Sequence, residues 1–216
     1  MTGYSRSPRL TKGAIVAFRP PLPLPSVIAF QYNPETLSRT VEARAAEGDG
    51  GTETFRLAGV PKEKITVDAM FDASDDLERG DSVAETIGLS PRLAALETLL
   101  YPEYATTIAN TVLMNLGTIE VLPAKSPFTI FIWGKNRILP VRLSNLSITE
   151  EAYDPALNPI RAKVGMELQV LTTQDLKASH PGYGMYLAHH VIKETMAAIG
   201  TAQRLGRVLG SDVRLL

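Results

Sequence analysis

The chain has no cysteine among its 216 residues, which excludes disulfides and thiolate metal sites and suits a reducing cytoplasm. Neither sign of charge is in excess. With 22 basic and 23 acidic residues the net charge is -1, so composition gives no electrostatic case for nucleic acid or a membrane surface as partner. No apolar stretch approaches the roughly 20 residues of a spanning helix, so no membrane insertion is expected. The opening Met1-Thr2-Gly3-Tyr4 lacks the basic region and apolar run of a secretory signal. These absences describe a chain made and kept soluble, exported only as part of something larger.

Catalytic signatures are missing too. No Gly-x-Ser-x-Gly pentapeptide occurs, and the glycines at 48 to 51 lack the spacing and following helix of a phosphate or dinucleotide loop. The acidic cluster Asp72, Asp75, Asp76, Glu78 and Asp81 has neither the alternating ligands nor the central glycine of a calcium loop and reads as a solvated loop. Of the three histidines, His189 and His190 are adjacent, which points them to different helix faces and away from a shared metal; they read as helix-surface residues. Glu97, Glu150 and Glu151 read as solvent-facing, with nothing to draw them into one cleft. No catalytic residue, cofactor or metal is expected.

What is present is ample apolar material, 44% of residues, in short alternating runs. Ile65, Val67, Ala69 and Phe71 hold one phase from Glu63 onward, and Ala162, Val164, Met166, Leu168 and Val170 hold another. Such period-two runs predict strands with one buried face. Further strands are expected near 14, 27, 128 and 138, the last two joined through Gly134-Lys135-Asn136 as a hairpin. In the segment from Leu143 to Thr172, Leu146 and Ile148 also alternate with polar residues. Pro155 and Pro159 then interrupt the ladder, so the loop should stand proud of the sheet as a contact device. Arg161 begins the next strand, where its planar guanidinium can tie the loop carrying Asp154 to a backbone or carboxylate group, within the subunit or across an interface. Trp133, the single tryptophan, reads first as a core or sheet-rim aromatic and second as an interface anchor.

Ser90-Pro91 followed by Leu93, Leu96, Leu99 and Leu100 predicts a helix over about 91–101, with Ser90 as its cap. Ala105 to Pro123 keeps no clear period. From Met185 to Leu209 the pattern is helical, with a mild apolar face of Leu187, Val191, Met196, Ile199, Leu205 and Val208 among small residues. That face should pack on this domain or on a partner subunit. Residues 1–13 read as a flexible N-terminal arm, polar and basic through Arg6, Arg9 and Lys12. The prolines at 20, 21, 23 and 25 form a stiff connector. Residues 47–51 form either a mobile hairpin tip or a segment ordered by a neighbouring subunit.

Phe30-Gln31-Tyr32-Asn33-Pro34-Glu35-Thr36-Leu37, the strand from Glu63 ending in Phe71-Asp72-Ala73, Leu96 to Pro102, and Phe128 to Gly134 with Leu143 to Leu171 occur in an informative order. In that order they resemble the tube-type baseplate proteins of contractile injection systems, relatives of phage tail machinery that join the inner tube to the spike or hub. The resemblance spans about residues 14 to 172. It implies a tail-tube-like small barrel that assembles as a ring, hexameric in relatives, with inner tube subunits, a spike or hub protein and other baseplate components as partners. Many members carry a C-terminal LysM module, and residues 173–216 show no such pattern.

The expected architecture is mainly β (α+β). It comprises a small β-barrel or two-sheet sandwich over residues 14–175, one packed helix, and a C-terminal helical extension over 176–216. The expected function is a structural baseplate adaptor, present in the cytoplasm within an assembled particle and possibly released with it. Asn33, Pro34, Trp133, Asp154, Pro159 and Arg161 are its candidate interface or structural residues. The alternative is a carbohydrate- or peptidoglycan-binding β-sandwich.

Overall fold

The computed structural model describes residues 12–19, 24–44, 57–102, 104–116 and 126–208, without the side chains of residues 105 and 202–208. The N-terminal arm before Lys12, most of the proline connector and the 47–51 segment lie outside the described residues. Seven strands form in chain order: β1 (Ala14–Phe18), β2 (Ser26–Ala29), β3 (Leu37–Glu42), β4 (Lys62–Asp72), β5 (Phe128–Ile132), β6 (Ile138–Tyr153) and β7 (Pro159–Val170). Between β4 and β5 lie α1 (Ser74–Glu78), α2 (Ser82–Ile87), α3 (Ser90–Glu97) and α4 (Tyr104–Asn115), and α5 (Pro181–Val208) follows β7.

The mainly β fold expected from the sequence is the one adopted. Its strands make a single antiparallel sheet in the order β2-β1-β5-β6-β7-β4-β3. Among the described residues that sheet is open, ending at β2 and β3, in place of a closed barrel or two stacked sheets. Its apolar face is covered by helical segments, with Leu89, Leu93, Leu96 and Leu99 on one part and Tyr186 on another.

The alternation seen in the sequence sets the register. Phe71 lies opposite Ala162, Ala69 opposite Val164, Val67 opposite Met166 and Ile65 opposite Leu168, so both strands bury the same face. In β6 the phase changes partway. Leu139, Val141 and Leu143 are buried, whereas farther along Leu146 and Ile148 turn toward the core. A register shift between Leu143 and Asn145 supplies the extra residue that moves the inward set from odd to even positions. Beyond Arg142, β6 has outrun β5, whose pairing with it covers only Ile138 to Val141.

Ser90 is the first residue of α3 rather than its cap. Leu89 occupies the cap position, and its amide donates to the Pro159 carbonyl at 2.8 Å, which satisfies one otherwise orphaned donor. The regular helix stops at Glu97, after which the Leu99 and Leu100 amides donate to Leu96 and Glu97 in a tighter final turn. The ambiguous stretch from 105 contains α4, none of whose described side chains is buried. The acidic cluster is not one solvated loop: Asp72 ends β4, Asp75, Asp76 and Glu78 lie in α1, and Asp81 caps α2 by accepting from the Val83 and Ala84 amides.

α5 turns its apolar residues the other way from the simplest expectation. Gly182, Tyr186 and His189 are buried and Lys193 is half-buried, a three-and-four spacing that defines one face. Leu187 and Val191 lie opposite and are 44% and 58% exposed. Met196 and Ile199 are exposed as well, within a stretch from Glu194 to Ile199 that buries no residue.

Candidate functional site

The 154–161 loop is fastened to the body of the subunit, not projected from it. The Asp154 carboxylate accepts from the Ala156 and Asn158 amides at 2.8 Å each and from Asn158 Nδ2 at 2.7 Å. These bonds, led by the Asn158 side chain, hold its carboxyl below the usual value. Asn158 Nδ2 also reaches the Thr86 carbonyl at 3.1 Å, and Pro159 is buried. Two prolines and an Asx-type turn stiffen the loop locally, and contacts with α2 and Leu89 fix its direction. Pro155, Ala156, Leu157 and Arg161 remain exposed.

Arg161 does not pair with Asp154. Its Nε and Nη2 donate to Asp72 Oδ2 at 2.9 and 2.8 Å, because Arg161 and Asp72 are register partners across β7 and β4. Burial would raise the Asp72 carboxyl, but the Ser74 hydroxyl and amide and the Arg161 guanidinium together hold it below its ordinary value. The Asp72 amide donates to Gln31 Oε1 at 3.0 Å, which also accepts from Arg92 at 3.3 Å. Arg92 in turn grips Asp76 at 2.6 Å. One continuous network therefore joins the Phe30–Leu37 segment, the end of β4, α1, α3 and the start of β7.

Asn33 accepts from the Gly13 amide at 2.9 Å and so ties the same segment to the entrance of β1. Trp133 is partly buried against the core, tilted on Phe30 at 6.3 Å and stacked on Phe131 at 5.9 Å. A Cβ on Gly13 would come within 2.7 Å of its ring. Asn33 and Trp133 thus meet around Gly13, while Asp154, Pro159 and Arg161 form a separate group. Pro34 is half-buried beside an open groove.

Sequence reasoning did not find a second polar cluster under α5. Glu63 sits on the core face of β4, 4% exposed, and accepts from Arg39 at 2.6 and 2.9 Å and from Lys193 at 2.7 Å. Burial opposes its charge, but Lys193 and Arg39 outweigh this and lower its pKa. Arg137 shares the environment, its guanidinium depressed by burial and by the Arg39 charge. His189 is buried, with neither ring nitrogen in good hydrogen-bond geometry although the Asn136 backbone lies close enough to favour its protonated form, in contrast to the helix-surface role expected. The only available signal was Glu63 standing in phase with Ile65 and Val67, a charge where an apolar residue belongs.

Acid should loosen this cluster in two steps. Burial first and Lys193 second hold His189 below the ordinary imidazole value, with Glu63 opposing. Tyr186 and His190 on α5, Arg39 on β3 and Arg137 at the β5–β6 turn complete the titratable and charged surroundings. The unfolded chain binds the histidine proton from about pH 6.5 downward while the native ring resists it, so stability falls through that window. Glu63, whose native pKa is lowered, adds a second loss as pH falls through the carboxylate range. Urea unfolding between pH 4 and 8 checks this. His189→Leu should abolish the first decline and leave the second, and an unchanged first decline would assign it elsewhere.

Among the described residues no group of three or more His, Asp or Glu side chains is arranged to hold a metal ion, and no helix is long and apolar enough to cross a membrane. Among the described residues the surface presents a stiffened loop, two sheet edges without a further strand and exposed apolar helix residues. A family model described as contractile injection system tube protein matches residues 10–179. No curated protein matches the chain.

Proposed function

The chain belongs to the contractile injection system tube proteins, a structural family, and on that premise we propose that it is the ring-forming adaptor joining the inner tube to the spike or hub at the baseplate. The observation that carries this reading is α5. It begins at Pro181, two residues beyond the matched segment, and shows Leu187 and Val191 to solvent while anchoring itself through Lys193 and Glu63. A tube domain with an added, firmly seated helix whose outer side is apolar suits a subunit that meets something other than its own kind. Among the described residues no further strand flanks β2 or β3, and these edges are the surfaces for lateral neighbours in a ring, six-fold as in relatives. The particle is assembled in the cytoplasm, and the inner tube, the spike or hub and other baseplate components are its partners.

Light scattering and negative-stain microscopy of the protein, alone and in its natural complex, test this. Open-centred rings of six chain masses, or the chain at the end of a tube, are expected; a strict monomer in both settings would overturn the reading.

The loop's part is tested by Arg161→Ala. Its guanidinium is 47% exposed and Asp72 keeps the Ser74 donors, so the isolated subunit should lose no more than about 1 kcal/mol. Particle yield should nonetheless drop several-fold, because the loop loses its tie to β4. Normal particles from a normally folded variant would remove the 154–161 loop from the interface.

A further inference from the structure

The outer face of the sheet carries an open groove of about 730 Å³ between the 32–36 segment and strands β4, β7 and β6. Its floor is low at Gly165, where a Cβ would come within 2.6 Å of Ser147 Oγ and 3.2 Å of Asp68 Oδ1. Thr149 and Lys163 line the far side. We propose that this groove is the docking site of the chain's own residues 1–11.

The tether comes first. Gly13 is held by Asn33 at 2.9 Å, and Asn33 lines the groove, so the described chain begins close beside it. Eleven residues reach about 36 Å when extended, well beyond the roughly 10 Å that separate β4 from β6 across β7.

Charge gives the second argument. Among the described residues the groove carboxylates Glu35 and Asp68 make no ion pair, whereas the Lys163 charge is taken up by Glu151 at 2.6 Å. The segment Met1 to Thr11 carries Arg6 and Arg9 and no acidic residue. A second hollow is lined by Lys12, Asp75, Asp76, Arg79 and Arg92, where Asp76 is already paired with Arg92 at 2.6 Å and the cations outnumber the acids.

Apolar surface supplies the third. Tyr32 is 50% and Met70 39% exposed, and Pro34 lines the groove with them. Tyr4, Pro8 and Leu10 can cover them, with Pro8 favouring the extended backbone a shallow groove accepts. Docking in cis adds nothing to and takes nothing from the ring assignment.

Because the chain has no cysteine, a pair of introduced thiols reads the contact without background. In full-length protein, Ser7→Cys with Thr149→Cys should form an intramolecular disulfide on mild oxidation. The rate should exceed that of Ser7→Cys with Thr195→Cys by on the order of tenfold, as expected for a raised local concentration. Thr149 and Thr195 are both exposed, so both variants should fold, and thermal melts would verify it. Adding Asp68→Lys, or raising salt, should erase the advantage. Equal rates for the two pairs, or a rate indifferent to Asp68→Lys, would overturn the proposal. Disulfides formed only between chains would overturn it in favour of a segment that grips a neighbouring subunit.

Discussion

Replacing Glu63 by glutamine should lower the unfolding free energy by about 2–3 kcal/mol. The carboxylate is buried and accepts from two cations, with Arg137 close enough to feel the same field. Its neutral isostere leaves three positive charges under α5 with no compensating anion. The side chains of Arg39 and Lys193 are 30% and 34% exposed, so each can swing partly into water, which keeps the cost below that of a fully enclosed pair. Lys193→Met in the same background should recover part of the loss, and the double-mutant cycle would give the coupling. Because Lys193 belongs to α5, the variant should also loosen that helix before the sheet, visible as faster amide exchange across residues 186–193. A loss under about 0.5 kcal/mol would mean that the cations are adequately hydrated already and that α5 is seated by apolar contact alone.

Gly88→Val should be comparably severe, at about 3 kcal/mol. Gly88 closes α2 with φ of 56°, a left-handed conformation that a β-branched residue resists. A Cβ at this position would also come within 2.4 Å of the Pro159 carbonyl oxygen. That oxygen accepts from the Leu89 amide, and Pro159 is itself buried, so the obstacle is fixed backbone and not a side chain that can move aside. Relief requires the loop and the α2–α3 junction to part, which breaks the Leu89 and Asn158 bonds together. Denaturant unfolding measures the loss, and Gly88→Ala should show a smaller loss of the same kind, since the strain begins at Cβ. If Gly88→Val were neutral, the contact between the loop and the helices would not exist in solution.

Both residues escaped the sequence reading for the same reason, that their partners are remote. Glu63 was in the right phase of β4 but looked like an ordinary charged residue at a strand's beginning; Lys193, 130 positions away, gives no local sign of the pairing. Gly88 has one cause in its own backbone angle and another in a carbonyl seventy-one residues later, at Pro159. Arg161 was read as a tie from the loop to a backbone or carboxylate group, but which group was not legible in the sequence. Asp154 is close in sequence and satisfies itself within its turn, whereas Asp72 is adjacent only through the β4–β7 register.

The strand β3 passed unnoticed because only Leu37 in it is even half-buried; an exposed edge leaves little alternation to read. β6 was legible in pieces, since the shift after Leu143 splits one strand into two phases that no single period describes. The helix α5 was legible as a helix, but the side it presents inward was not. Its apolar residues suggested one face, and a salt bridge to a buried glutamate selected another.

What the sequence by itself determined is the material and its local grammar. It set the charge balance, the absence of thiols, the alternating runs that must become strands, the leucine helix, and the order of segments that marks the tube family. These depend on side-chain period and backbone preference within a dozen residues, so they survive without knowledge of the fold. Tertiary structure alone decided that the strands form one open sheet, that the 154–161 loop is bound down by α2 and Asp72, and that α5 faces outward with its apolar side. Those outcomes rest on contacts between residues tens to over a hundred positions apart, whose energies exist only once the chain has brought them together.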